Sequence, residues 1–277
     1  MKILDGIEVS KKIQNNLINK INELDIKPKL VIFKINNDKS SNIYINQKIK
    51  KCKELNIDVE LYEYNEEANE KDIINKIEEC NKDKSINGII IELPIYNKFN
   101  QHKILNTIDI NKDVDGLTDK NMINLINNNK CFIPCTVLGI EKLLDYYNIE
   151  LNNKKVSIIN RSNLIGKPLL YRLINKDSTV TICHSKTNNI EKICKESDII
   201  VTAVGKKDLI NKDYINNNSI IIDAGIIKVD GKIYGDVNYN DVEGRCAYIT
   251  KVPGGVGPMT VISLMSNIYD AYINQKL

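Results

Sequence analysis

Short apolar runs of strand length alternate with helical patterns of ten residues or more along most of the chain. No other feature limits the fold so strongly. KLVIFKI (29–35), VELYEY (59–64) and GIIIEL (88–93) are separated by SSNIYINQKIKKCKEL and EKDIINKIEEC, in which apolar residues return at helical spacing. An opening helix carries Ile13, Leu17, Ile21 and Leu24 on one side. Strands alternating with helices in this way form βαβ units and a parallel sheet. The stretch DGLTDKNMINLINNNKCFIPCT breaks the rhythm with polar and turn residues. A second series follows: KVSII (155–159), LIGKPLLYRLIN, TVTIC, NIEKICKES, DIIVTAV and SIIIDAGI. The pattern predicts an α/β fold of two α/β lobes around a cleft, residues 1–139 and 140–258. The second is a Rossmann-like doubly wound parallel sheet, and a closing helix over 259–277 packs back on the first lobe.

Composition removes several classes of function. The 277 residues are 42% hydrophobic and 27% charged, the balance of a globular protein. A net charge of +3 spread along amphipathic patterns, with 6% aromatic residues, lacks the basic stripe and stacking platforms of a nucleic-acid binder. No apolar run reaches membrane length, and MKILDGIEVSKKIQ has no apolar signal core, so a cytoplasmic protein without a membrane partner is expected. The seven cysteines show no CxxC spacing. Cys131 and Cys135 are the closest pair, and neither of the two histidines is near them, so reduced thiols are expected and a metal site is not.

Several stretches carry chemistry. IINRSNLIGKPLL (158–170) follows a strand and opens a helix, the setting of a dinucleotide-binding turn, although Asn160 stands where the first glycine of the fingerprint belongs. Arg161 and Ser162 add groups suited to a phosphate. About 20 residues on, where NAD-specific folds place an acid, the chain reads ICHSKT, with His184, Ser185, Lys186 and Thr187. Together with Arg161 this favours NADP. Tyr44 and Lys48 lie four apart on one helix face, which suits substrate orientation and proton transfer or, equally, a solvated lysine-rich surface. Glu92 ends an apolar strand. In DVDGL, Asp113 and Asp115 lack the remaining ligands of a calcium loop, and a single buried Asp accepting hydrogen bonds from a heterocycle fits better than a metal. KVPGGVGPMT (251–260) offers a bare backbone that a ligand or another chain segment can approach closely.

These stretches resemble the bifunctional methylenetetrahydrofolate dehydrogenase/methenyltetrahydrofolate cyclohydrolase family over essentially the whole chain and in the same order. YINQK (44–48), ELPI (92–95), KDVDG (112–116), PCT (134–136), RSNLIGKP (161–168), CHSKT (183–187), AVGK (203–206) and VPGGVGPMT (252–260) carry the likeness. The resemblance implies NADP-dependent oxidation of 5,10-methylenetetrahydrofolate in one-carbon metabolism, with possible hydrolysis of the methenyl product to 10-formyltetrahydrofolate, in a homodimer. It gives the first lobe, with the closing helix, to folate and the second to NADP.

Carried over by position, Lys48, Tyr44, Asp115 and Glu92 are the catalytic group. Ile91, Leu93, Pro253, Gly254, Gly255 and Gly257 join them around the folate. Thr136, Asn160, Arg161, Ser162, Ser185, Ile226 and Thr260 hold NADP, and no metal is implied. The family commonly has Gly at position 160 and Pro at positions 96 and 137, where this chain has Asn160, Tyr96 and Val137. It has Gln where Glu92 stands, and a carboxylate there is expected to keep Lys48 protonated and to weaken hydrolysis. The alternatives are a two-lobed dehydrogenase of another small metabolite, of the shikimate type, and a non-catalytic folate- or nucleotide-binding protein.

Overall fold

A computed structural model describes residues 1–276, apart from the side chains of residues 39 and 40. In chain order the elements begin with β1 (Lys2–Leu4), α1 (Gly6–Asn22), β2 (Lys29–Lys34), α2 (Lys39–Glu54), β3 (Asp58–Glu63), α3 (Glu70–Lys82) and β4 (Gly88–Glu92). Three helices follow, α4 (Gln101–Asn106), α5 (Asp119–Ile126) and α6 (Cys135–Tyr146). Next come β5 (Lys155–Ile159), α7 (Gly166–Ile174), β6 (Thr179–Cys183), α8 (Ile190–Lys195), β7 (Ile199–Thr202) and β8 (Ile220–Asp223). The chain ends with β9 (Ile227–Val229), β10 (Lys232–Tyr234), α9 (Tyr239–Val242), β11 (Tyr248–Thr250) and α10 (Val256–Lys276).

These elements form two compact units, one of residues Lys12–Cys135 with Val261–Leu277, the other of Met1–Lys11 with Thr136–Thr260. The first holds a three-stranded parallel sheet in the order β3-β2-β4. The continuous apolar runs of β2 and β4 are buried along almost their whole length, as a strand covered on both faces requires, whereas edge strand β3 is half-exposed. Val31, Phe33, Ile35, Ile89 and Ile91 pack against Ile73 and Ile77, the apolar stripe of α3. Asn69 caps the start of that helix by accepting from Lys71 N (2.9 Å). At its other end the buried Lys112 ammonium donates to the Cys80 and Asp83 carbonyls, at 2.9 and 2.6 Å.

The second unit is a six-stranded parallel sheet in the order β1-β11-β8-β7-β5-β6. From β5 the chain builds outward to β6, then returns to add β7 and β8 on the other side, so strand order reverses between β5 and β7. That reversal, at the carboxyl ends of the strands, is where open α/β sheets bind ligands. The arrangement is the Rossmann-like one expected from the sequence. Buried Glu141 on α6 accepts from Arg172 Nε and Nη2 on α7 at 2.7 and 3.1 Å, a bidentate pair that compensates for the burial of its charge.

Some elements depart from the sequence reading. The polar stretch after Asp115 contains helix α5, capped by the Thr118 hydroxyl, which accepts from Asn121 N. The closing helix starts at Val256, so Gly257, Pro258, Met259 and Thr260 form its first turn, where a proline costs no hydrogen bond. The three-residue strands β1 and β11 lie side by side at one edge of the larger sheet and are too short to show a period. Hairpin β9–β10 turns on Asp230 and Gly231, both at positive φ (50° and 78°), the primed-turn geometry that suits a two-residue loop. Among the described residues no helix is long and apolar enough to cross a membrane, and no three His, Cys, Asp or Glu side chains group to hold a metal.

Two buried carboxylates shape the ends of the larger sheet. Asp223 accepts from the N–H groups of Gly225, Asp236 and Val237 at 2.9–3.1 Å. Asp236 accepts from the Thr202 hydroxyl (2.6 Å) and from the N–H groups of Val204 and Lys206 (both 2.7 Å). Burial, helped by the Asp236 charge and opposed by the backbone donors, pushes the Asp223 carboxyl up to about 6. The folded state therefore binds this proton more tightly than the unfolded chain does. The contribution is complete below the unfolded carboxyl's value near 4 and is lost as pH rises through about 6. Across this window the difference in unfolding free energy between the wild type and Asp223→Asn should change by up to about 3 kcal/mol. Denaturant titrations from pH 4 to 7 measure it, and parallel pH profiles would contradict it.

Candidate active site

In the three-stranded unit, β4 ends on Glu92, paired in register with Lys34 of β2. Helix α2 buries Ile45 and Cys52, and Lys48 lies between them, three and four residues away, on the same stripe. Lys48 therefore faces inward, unlike the exposed Lys50 and Lys53 of its lysine-rich helix. Its Nζ donates to Glu92 Oε2 at 2.7 Å, with Glu92 only 6% exposed. Burial disfavours the ammonium form. The charges of Glu92 and Asp115 and the hydrogen bond to Glu92 outweigh it and hold Lys48 above the ordinary lysine value. Tyr44, one turn earlier, is 39% exposed.

Asp115 lies in the segment after the Lys112–Asp113 pair, which is anchored by Ile89 N donating to Lys112 O (2.7 Å). Of the two aspartates in the DVD sequence, Asp113 is fully buried and Asp115 is not. Asp113 accepts from Leu117 N (3.1 Å), Thr118 N (2.8 Å) and Asn121 Nδ2 (2.7 Å), and burial raises its pKa against those donors. Asp113 thus fixes the turn, and half-buried Asp115 takes no part in those three bonds. The Cys135 thiol contacts Asp115 and lies 3.5 Å from the Val114 carbonyl; burial lifts its pKa well above the thiol range. The side chain of Ile91 is in the core, and Leu93 is half-buried. Tyr96 uses its N–H to Ile35 O (2.9 Å), a bond that the proline common in the family lacks.

In the six-stranded unit, Asn160 follows β5 at the reversal of strand order. Its Oδ1 accepts from Ser162 N (2.8 Å) and Gly166 N (3.0 Å), and its Nδ2 donates to Ala203 O (2.5 Å) beyond β7. Arg161, Ser185, Lys186 and Ile226 are exposed around these strand ends, Ser162 half-buried. Arg161 and Lys186 have no ion-pair partner among the described residues. His184 N donates to Thr187 Oγ1 (3.0 Å) and Lys186 N to His184 Nδ1 (3.2 Å), closing a turn without an acid. Thr260 Oγ1 donates to Thr136 Oγ1 at 3.2 Å.

The 252–257 segment owes its glycines partly to its own backbone. Gly254 has φ +110°, and a Cβ on Gly255 would lie 2.7 Å from Lys251 O. Ile7 N donates to Gly254 O (3.1 Å), and a Cβ on Gly6 would stand 1.8 Å from Gly255 O. Gly257 has open space where a side chain would be, and Pro253 is exposed. Sequence reasoning missed Asp223, Asp236 and Asn267, whose partners lie far away in the chain. Cys135 stood within the PCT motif but was given no role.

Strand order, the acid-free turn and the uncommitted cations define a class, the Rossmann-like NAD(P)-binding proteins. Residues 134–276 match the NAD(P)-binding domain, and residues 4–115 the catalytic domain, of tetrahydrofolate dehydrogenase/cyclohydrolase. The chain belongs to that family. The bifunctional protein FolD of Hydrogenobaculum sp. (strain Y04AAS1) is 39% identical over 98% of this chain and 99% of its own. The bifunctional FolD methylenetetrahydrofolate dehydrogenase/cyclohydrolase of Campylobacter jejuni has a crystal structure that superposes with TM-score 0.97, at 35% identity and full coverage of both chains. The Trypanosoma brucei enzyme, solved with NADP and an inhibitor, gives TM-score 0.93 at 29% identity over 98% of this chain and 96% of that one. The match does not favour the shikimate-type alternative.

Replacing Glu92 by Gln removes a charge that raises the Lys48 pKa but keeps the side chain's shape. The Lys48 titration, followed by the NMR signal of its ε-carbon, should then move to lower pH. An unmoved titration would mean that Glu92 does not set the charge state of Lys48.

Proposed function

We propose that the protein oxidises 5,10-methylenetetrahydrofolate with NADP⁺ and hydrolyses the methenyl product slowly. Family membership supports the substrate class, and the buried Lys48–Glu92 pair is the observation that carries the division between the two activities. NADP⁺ supplies the hydride acceptor. The residues at the strand ends fit it: Arg161, Ser162, Ser185 and Lys186 offer cations and hydroxyls for a 2′-phosphate, with no competing carboxylate in the turn after β6. Exposed Ile226 offers an apolar surface, and Thr136, Asn160 and Thr260 complete the cofactor group.

On the folate side, Asp115 accepts hydrogen bonds from the pterin edge, while Tyr44, Lys48 and the backbone of residues 91–93 line the ring. Residues 1–139, with the closing helix, accordingly serve folate, and 140–258 serve NADP. Loss of hydride leaves a cation shared by the two nitrogens that flank the one-carbon unit, so this step needs alignment more than a base. Hydrolysis needs an activated water, and a lysine held as ammonium beside a carboxylate is a poor base. Slow hydrolysis follows. The family reading also carries homodimeric assembly and a cytoplasmic location. Seven cysteines without CxxC spacing are in keeping with a reducing compartment.

Incubation with methylenetetrahydrofolate and NADP⁺ should give NADPH with catalytic turnover, and binding without turnover would instead indicate a folate-binding protein. In the same assay Arg161→Ala should raise the KM for NADP⁺ much more than that for NAD⁺, since only NADP⁺ carries the extra phosphate. Equal losses for both would remove Arg161 from the phosphate site.

A further inference from the structure

From Ile262 to Ile268 helix α10 is buried without a break, with Ile262, Leu264, Met265 and Ile268 each at most 2% exposed. Asn267, at 3%, is a carboxamide set in this apolar stretch, and burying such a group is unfavourable unless its hydrogen bonds are made. Its Nδ2 donates to Val114 O at 2.8 Å and Ile133 O at 3.1 Å, and lies 3.8 Å from Cys135 Sγ. The two carbonyls belong to separate irregular segments outside any strand or helix ladder, and besides Asn267 the Val114 carbonyl accepts only the weak Cys135 thiol donor at 3.5 Å. The segments lie against each other at Gly116, where a Cβ would be 2.5 Å from Phe132 O. Pro134 has no N–H with which to tie them. One amide from α10 therefore supplies both bonds.

Asp115 directly follows one clamped carbonyl, and Cys135, whose thiol contacts its carboxylate, lies two residues beyond the other. We propose that Asn267 is a positioning residue for the folate reaction, holding Asp115 within electrostatic reach of Lys48 by clamping the Val114 and Ile133 carbonyls together. The proposal rests on the folate reading of Asp115 given above. The groups facing Lys48 are Glu92, Asp115, Cys135 and Cys52, and only Asp115 and Cys135 are in the clamped segments.

The test is a double-mutant cycle in the full-length protein, with tetrahydrofolate as the probe because it carries the pterin but no one-carbon unit to oxidise. Asn267→Ala should weaken tetrahydrofolate by about tenfold and leave NADP⁺ within about twofold. In an Asp115→Asn background the same substitution should have almost no further effect, because Asn267 acts through Asp115. Equal losses in both backgrounds, or unchanged affinity in the first, would overturn the proposal. Asn267→Ser retains one donor and should give an intermediate loss, and it serves if the alanine variant does not fold. A second readout needs no folate: Lys48 should titrate at lower pH in the variant as Asp115 drifts away, and an unmoved titration counts against the clamp. If the wild type fails to bind tetrahydrofolate, the folate reading falls, and the Lys48 titration alone decides the role of Asn267.

Discussion

A parallel sheet covered on both faces leaves the charged side chains of its covered strands only one place to gather, the ends of those strands. Both sheets here obey that constraint. β2 and β4 are buried nearly end to end, and the first carboxylate that β4 can tolerate is its last residue, Glu92. In the larger sheet β5, β7 and β8 are buried almost throughout, and the polar groups Asn160, Thr202 and Asp223 cluster at their carboxyl ends. The helices then determine what these groups meet. Helix α2 brings Lys48 to Glu92, and the loops after β7 and β8 fold around Asp236 and Asp223.

On the proposed reading, electrostatics at the smaller sheet separates oxidation from hydrolysis. A buried ammonium alone would lose its proton readily, and a lysine in that state serves as a base. Glu92 and Asp115 reverse the balance. On that reading the same charges leave oxidation of the substrate untouched, because that step moves a hydride and relies on geometry. Asn267 adds a mechanical element to this account, since the position of Asp115 depends on two carbonyls that the carboxamide holds together.

The sequence exposed most of the fold because β2, β4, β5 and β8 are apolar runs with no competing helical reading. It concealed β1 and β11, which are three residues long and gain their identity only from pairing with each other and with β8. Within the site, the spacing of Tyr44 and Lys48 could not tell an inward face from a solvated one. Ile45 and Cys52 on either side of Lys48 carried that information. Asp113 and Asp115 are chemically alike in sequence, and only the donors from Leu117, Thr118 and Asn121 show which is committed to the turn. Asn267 was invisible for a different reason: in a chain so rich in asparagine, one more on an apolar helix carries no signal until its two carbonyl partners are seen.

The central claim is that Glu92 keeps Lys48 protonated and so restrains hydrolysis without impairing oxidation. Enzyme-dependent loss of the near-ultraviolet absorbance of methenyltetrahydrofolate, compared between the wild type and Glu92→Gln, tests it most directly. The account predicts slow hydrolysis by the wild type and faster hydrolysis by the variant. Rapid hydrolysis by the wild type that falls in Glu92→Gln would contradict it and make Glu92 itself the base.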